Sequence, residues 1–151
     1  MTARTIQQLF DLSGKTALVT GGSRGLGLQM AQSLGEAGAK IVLSSRKASD
    51  LEEAVATLKA QGIEASFIAA DCAADADITR LADESIARLG HVDILVNNAG
   101  AIPGGALEDV SQARWREGWE LKVFGFINMT RAFYQVMAAR RHGVILNMIG
   151  A

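Results

Sequence analysis

The chain has 151 residues, one domain by length, and a chain of this size can bury about 70% of its unfolded surface. It is 49% hydrophobic but only 5% aromatic, which suits small side chains packed between helices and a sheet. A net charge of −1 with no basic run argues against an electrostatic nucleic-acid binder, and a lone cysteine, Cys72, excludes an internal disulfide framework and fits a reducing cytosol.

Residues 1–14 lack the apolar core of a signal peptide, and no segment is long enough to cross a bilayer. A cytoplasmic location without a membrane partner is therefore expected. The first predicted strand is Lys15–Thr20. It runs into Thr20-Gly21-Gly22-Ser23-Arg24-Gly25-Leu26-Gly27, then a helical segment with Met30, Ala31 and Leu34 that stops at Gly38. Strand, glycine turn, helix is an arrangement that holds a dinucleotide pyrophosphate. Glycine permits backbone conformations closed to other residues and lets the main chain approach the ligand. The helix start offers unpaired N–H groups and the positive end of its dipole.

The second predicted strand is Lys40–Ser45. A helix follows, with Leu51, Ala54, Val55 and Leu58 on one face and Gly62 just past its end. The third strand is Ile63–Ala70. The next helix carries Ile78, Leu81, Ala82, Ser85, Ile86 and Leu89, with Asp75 or Asp77 as N-cap and Gly90 as the stop. The fourth strand is Val92–Asn98, and Pro103, Gly104 and Gly105 mark a loop after it. A long helix is predicted from near Gln112 to Arg141, capped by Ser111, with apolar positions that include Trp115, Trp119, Phe126, Phe133 and Met137. The last strand is Gly143–Ile149. His91 and His142 read as solvated loop residues, and no Cys/His cluster has metal-ligand spacing. Apolar strands joined by crossover helices imply a parallel sheet covered on both faces.

Three local motifs carry a resemblance to the short-chain dehydrogenase/reductase family. Thr20–Gly27 reads T-G-x-x-x-G-x-G, Asn97-Asn98-Ala99-Gly100 closes the fourth strand, and Asp71 follows the third. The resemblance implies a doubly wound, Rossmann-like α/β fold. It implies five parallel strands ordered 3-2-1-4-5, and the expectation is one incomplete NADP-binding domain over 1–151, truncated after the fifth strand. It also implies a cofactor site made of Gly21, Ser23, Arg24, Gly25, Leu26, Gly27, Ser45, Arg46, Asp71, Cys72, Asn98, Ala99 and Gly100. Asp71 would accept from the adenine amine or cap the next helix, and Cys72 would pack beside the base as a small, unreactive side chain. Asn97 and Asn98 suit side-chain bridges between strand ends. Ala99 and Gly100 leave the backbone open to the adenine-side ribose.

Enzymes that prefer NAD place a carboxylate after the second strand to hold the ribose 2′-hydroxyl. Here that place reads Ser44-Ser45-Arg46-Lys47. Arg46 and Arg24 can converge on a 2′-phosphate, which points to NADP(H); the alternative is a pair of solvated cations.

The same resemblance shows where the chain departs from the family. The catalytic Tyr-x-x-x-Lys pair is expected beyond Ala151 and is absent here; the only tyrosine, Tyr134, is followed four residues later by Ala138 and is no substitute. Gly150 stands where a substrate-orienting Ser is usual, and Lys122 stands at the family's helix Asn. Lys122 is the candidate catalytic group, a divergent proton relay; the alternative is a Lys paired with Glu117 or Glu120, or extended to solvent. The parent activity implied is NADP(H)-dependent oxidation of an alcohol or reduction of a small carbonyl compound. This chain alone is expected to bind cofactor without turnover. The competing expectation is a non-catalytic NADP-binding sensor or scaffold. The apolar fifth strand, last in the sheet, predicts a homo-oligomer or the remainder of a longer chain.

Overall fold

The computed structural model describes residues 5–100 and 103–149. The elements are α1 (Ile6–Phe10), β1 (Thr16–Thr20), α2 (Gly25–Glu36), β2 (Lys40–Ser45), α3 (Ala48–Ala60), β3 (Ala65–Ala69), α4 (Asp75–Leu89), β4 (Ile94–Asn97), α5 (Gln112–Trp119), a π-helical turn (Glu120–Gly125), α6 (Phe126–Ala139) and β5 (Val144–Asn147). All paired strands are parallel, and the sheet order is β3-β2-β1-β4-β5. This is the doubly wound order expected from the sequence.

The sheet buries both faces, so alternate residues of one strand enter different layers. Ala17 and Val19 join Ile41, Leu43, Leu51 and Leu58 under α2 and α3. Leu18 joins Val42, Leu81, Leu95, Met129 and Phe133 under α4 and α6. Central β1 is buried at every position, and Val19 stands level with Leu43 on one side and Val96 on the other.

Several expectations are corrected in detail. Helix α1 has no counterpart among the elements predicted from the sequence; its start is closed by a reciprocal capping box between Thr5 and Gln8. Neither Asp75 nor Asp77 is the N-cap of α4. Ala74 holds that place, and both acids lie within the first turn, where the dipole favours them. The long helix is capped by Ser111 as expected, but it is interrupted by the π turn. That wider turn breaks the 3.6-residue phase, so Trp119 is 57% exposed while Phe133 and Met137 are buried.

The two histidines lie in loops but are not simply solvated. At the end of the sheet remote from the glycine turn, the Asp93 carboxylate is 2% exposed. It accepts from the Thr16 N–H at 3.1 Å and from Arg140 at 3.1 Å. His91 Nε2 lies 3.2 Å away and His142 Nε2 3.5 Å away. Burial pushes the Asp93 carboxyl up, but Arg140, the Thr16 amide and His91 outweigh it and hold the pKa below the usual value.

Strand β5 pairs with β4 along one edge, and Val144 and Leu146 remain exposed. Trp119, Ile127 and Tyr134 are exposed on the outside of α5 and α6. No helix of the described residues is long and apolar enough to cross a membrane.

Candidate functional site

The C-terminal ends of β1, β2, β3 and β4 open into one groove of about 750 Å³, within the range of small-molecule sites. It is lined by Gly21, Ser23, Arg24, Leu26 and Gly27 from the glycine turn and by Ser45 and Arg46 after β2. Asp71 and Cys72 after β3 and Asn98, Ala99 and Gly100 after β4 complete it. Lys47, Asp50, Ala70 and Leu121 also contribute, although no sequence motif marks them for this site. Gly25 does not line the groove. Its φ of +56° shapes the turn, and the space where a Cβ would stand is open.

The turn is locked to the sheet by asparagine and threonine. Asn98 Nδ2 donates to the carbonyls of Thr20 at 3.1 Å and Gly21 at 3.2 Å. The Thr20 hydroxyl oxygen accepts from the Asn98 and Ala99 amides, and Gly22 N–H donates to the Ser44 carbonyl. Asn97 Nδ2 bridges to Asn147 Oδ1 at 2.8 Å, tying β4 to β5. These are the strand-end bridges that the paired asparagines suggested. A Cβ on Gly27 would stand 2.2 Å from the Gly21 carbonyl oxygen, so glycine is what lets α2 pack this closely against the turn.

Helix α2 begins with no side-chain cap, leaving the amides of its first turn without intrahelical partners beside the groove. Those donors, the open position at Gly25 and the cations of Arg24, Arg46 and Lys47 fit a phosphate-bearing dinucleotide. The groove's carboxylates are Asp50, inside the first turn of α3, and Asp71; neither ends β2.

Asp71 makes two hydrogen bonds in the loop after β3. Its Oδ1 accepts from the Ala73 amide at 3.0 Å, and its own N–H donates to Asp77 Oδ2 at 2.7 Å. Cys72 is buried, and burial, then the Asp71 and Asp77 charges, push its thiol up to about 12, so it is chemically quiet.

Lys122 lies on the π turn and pairs with neither Glu117 nor Glu120. Its Nζ donates to the Met148 carbonyl just past β5, and the charge sits 4.7 Å from the centre of the Phe126 ring. Burial holds its pKa below the ordinary lysine value. Gly125 lets the π turn approach the loop after β3: a Cβ there would stand 2.4 Å from the Cys72 carbonyl oxygen. Gly150 lies outside the described residues.

The profile of the short chain dehydrogenase family matches residues 15–150. The chain belongs to this family. Its sequence is 38% identical over 141 residues to a gluconate 5-dehydrogenase of Gluconobacter oxydans, covering 93% of this chain and 55% of that one. It is 36% identical over 138 residues to the 7α-hydroxysteroid dehydrogenase of Escherichia coli K12, covering 91% and 53%. Among solved structures, a Burkholderia cenocepacia gluconate 5-dehydrogenase in complex with NADP and tartrate superposes with a TM-score of 0.86 at 35% identity, covering 93% and 55% of the two chains. A metagenomic short-chain oxidoreductase in complex with NADP gives 0.83 at 36% identity, covering 89% and 62%. This short-chain dehydrogenase chain spans about half the length of the curated relatives it matches.

Proposed function

We propose that the groove binds NADP(H), and that the activity of the whole protein is NADP(H)-dependent oxidation of an alcohol or reduction of a small carbonyl compound. The observation that carries the cofactor choice is the end of β2. Ser45 and Arg46 stand there without a carboxylate, and Arg24 lines the same groove. A planar guanidinium suits a 2′-phosphate, whereas NAD selection needs an acceptor for the 2′-hydroxyl. The solved relatives bound to NADP support the same reading.

In this reading the α2 amides and the glycine turn hold the pyrophosphate. Arg24, Ser45 and Arg46 hold the 2′-phosphate, and Asp71 and Cys72 flank the adenine. When bound, the cofactor supplies or accepts the hydride. The chain's own part is to bind and orient it. With no Tyr-x-x-x-Lys pair in this sequence, the chain binds cofactor without turnover. The replacement of the family's helix Asn by Lys122 favours, as a second reading, a cofactor-binding module with no reaction of its own. The exposed apolar residues of β5 and of α5–α6 are covered by a second copy or by further chain.

The test is a fluorescence titration of the wild type and Arg46→Ala with NADPH and NADH. Arg46→Ala weakens NADPH by about 10- to 150-fold, the value of one charge-assisted hydrogen bond, and leaves NADH nearly unchanged. An equal effect on both cofactors contradicts the assignment. A carbonyl-reduction assay on the pure chain gives no rate above background; a rate abolished by Lys122→Ala would instead make Lys122 the catalytic group.

A further inference from the structure

Gly100 and Lys122 form a contact that the nucleotide reading does not use. A Cβ on Gly100 would stand 3.1 Å from Lys122 Cδ and 3.2 Å from Nζ. The ammonium therefore lies directly behind a residue that lines the groove, and the missing side chain leaves it against that wall. An ammonium has three N–H donors. The Met148 carbonyl takes one, the Phe126 ring faces the charge, and no carboxylate pairs with Nζ among the described residues. A partly desolvated cation so placed gains from an incoming oxygen acceptor.

The sheet order indicates which part of a ligand that acceptor belongs to. The glycine turn follows central β1. Ser45, Arg46, Asp71 and Cys72 lie to one side of it, after β2 and β3. Gly100, Lys122 and Met148 lie to the other, around the ends of β4 and β5, so Gly100 is placed here with the nicotinamide half and not beside the adenine-side ribose that the resemblance implied. A dinucleotide whose pyrophosphate crosses at β1 sends its two halves to opposite sides of that strand. We infer that Lys122 is a cofactor-positioning residue for the nicotinamide half, donating past Gly100 to a hydroxyl or phosphate oxygen of the nicotinamide-side ribosyl phosphate. This rests on the dinucleotide reading above.

The experiment compares NADPH with adenosine 2′,5′-bisphosphate, which carries the adenosine end and lacks the nicotinamide half. Both are titrated calorimetrically into the wild type, Lys122→Met and Lys122→Arg. Lys122→Met weakens NADPH about tenfold, the loss expected for one charge-assisted hydrogen bond, and leaves the bisphosphate within about twofold. Lys122→Arg restores most of the loss. Bisphosphate binding reports in each variant that the groove is folded. Equal weakening of both ligands makes Lys122 a structural strap and overturns the inference, as does unchanged NADPH binding. If neither ligand binds the wild type, the dinucleotide reading falls and this inference falls with it.

Discussion

The Thr20 hydroxyl oxygen accepts from the Asn98 backbone amide at 3.0 Å and from the Ala99 amide at 3.1 Å, while its own proton goes to the Val96 carbonyl. One side chain at the end of β1 thus fixes the loop that leaves β4. Thr20→Val keeps the shape and strands two amides in a part-buried setting. It lowers unfolding free energy by about 2 kcal/mol, measured by urea denaturation, because unsatisfied buried donors carry their full desolvation cost. A change within about 0.5 kcal/mol, typical of an unconnected surface site, contradicts this role.

Gly27→Ala places a methyl 2.2 Å from the Gly21 carbonyl and 2.6 Å from Asn98 Nδ2. Backbone on one side cannot yield as a flexible side chain would. The variant loses about 1–3 kcal/mol by overpacking, read as a lower thermal midpoint, and loses NADPH binding with it. Gly25→Ala meets open space and is strained only by φ, so its stability cost is smaller, about 1–2 kcal/mol. A Gly25 variant less stable than the Gly27 variant would reverse this account of the turn.

At the other end of the sheet, Asp93→Asn breaks a buried charge pair. It costs about 3 kcal/mol at neutral pH, the low end for such a change because Arg140 is one-third exposed. The native pKa is held below the unfolded value, so the ionised carboxylate stabilises the fold above the ordinary Asp pKa of about 3.9. That stability is lost as pH falls through the lower native pKa. Denaturation curves of wild type and variant therefore differ most at neutral pH and converge in acid below that range. A difference independent of pH down to strong acid would show that the charge is not what matters.

Much of this was legible in the residues. The strands read as apolar runs because both faces of a parallel sheet are covered, and Gly38, Gly62 and Gly90 marked helix ends because each has positive φ. The groove's lining was legible because its members cluster just past strand ends. Three features were not. The π turn widens the helix locally without altering the residue types that make a helix. The Asp93 cluster joins Thr16 to a residue 77 positions away, and no local pattern encodes that meeting. The partner of Lys122 is a main-chain carbonyl, which every residue offers, whereas the nearby glutamates were the visible alternatives.

The exposed apolar residues Val144, Leu146, Trp119, Ile127 and Tyr134 predict association of the isolated chain. Size-exclusion chromatography with light scattering should give a mass well above 15.9 kDa that falls on dilution. A monomer that stays soluble at high concentration contradicts the covering of these surfaces.

The central claim is that this groove holds a 2′-phosphorylated dinucleotide. Its most direct test is isothermal titration of the purified chain with NADPH and NADH under identical salt. The account predicts saturable binding of one NADPH per chain, tighter than NADH by at least about tenfold, the value of one charge-assisted contact. Equal affinity for the two, or no saturable binding of either, contradicts it.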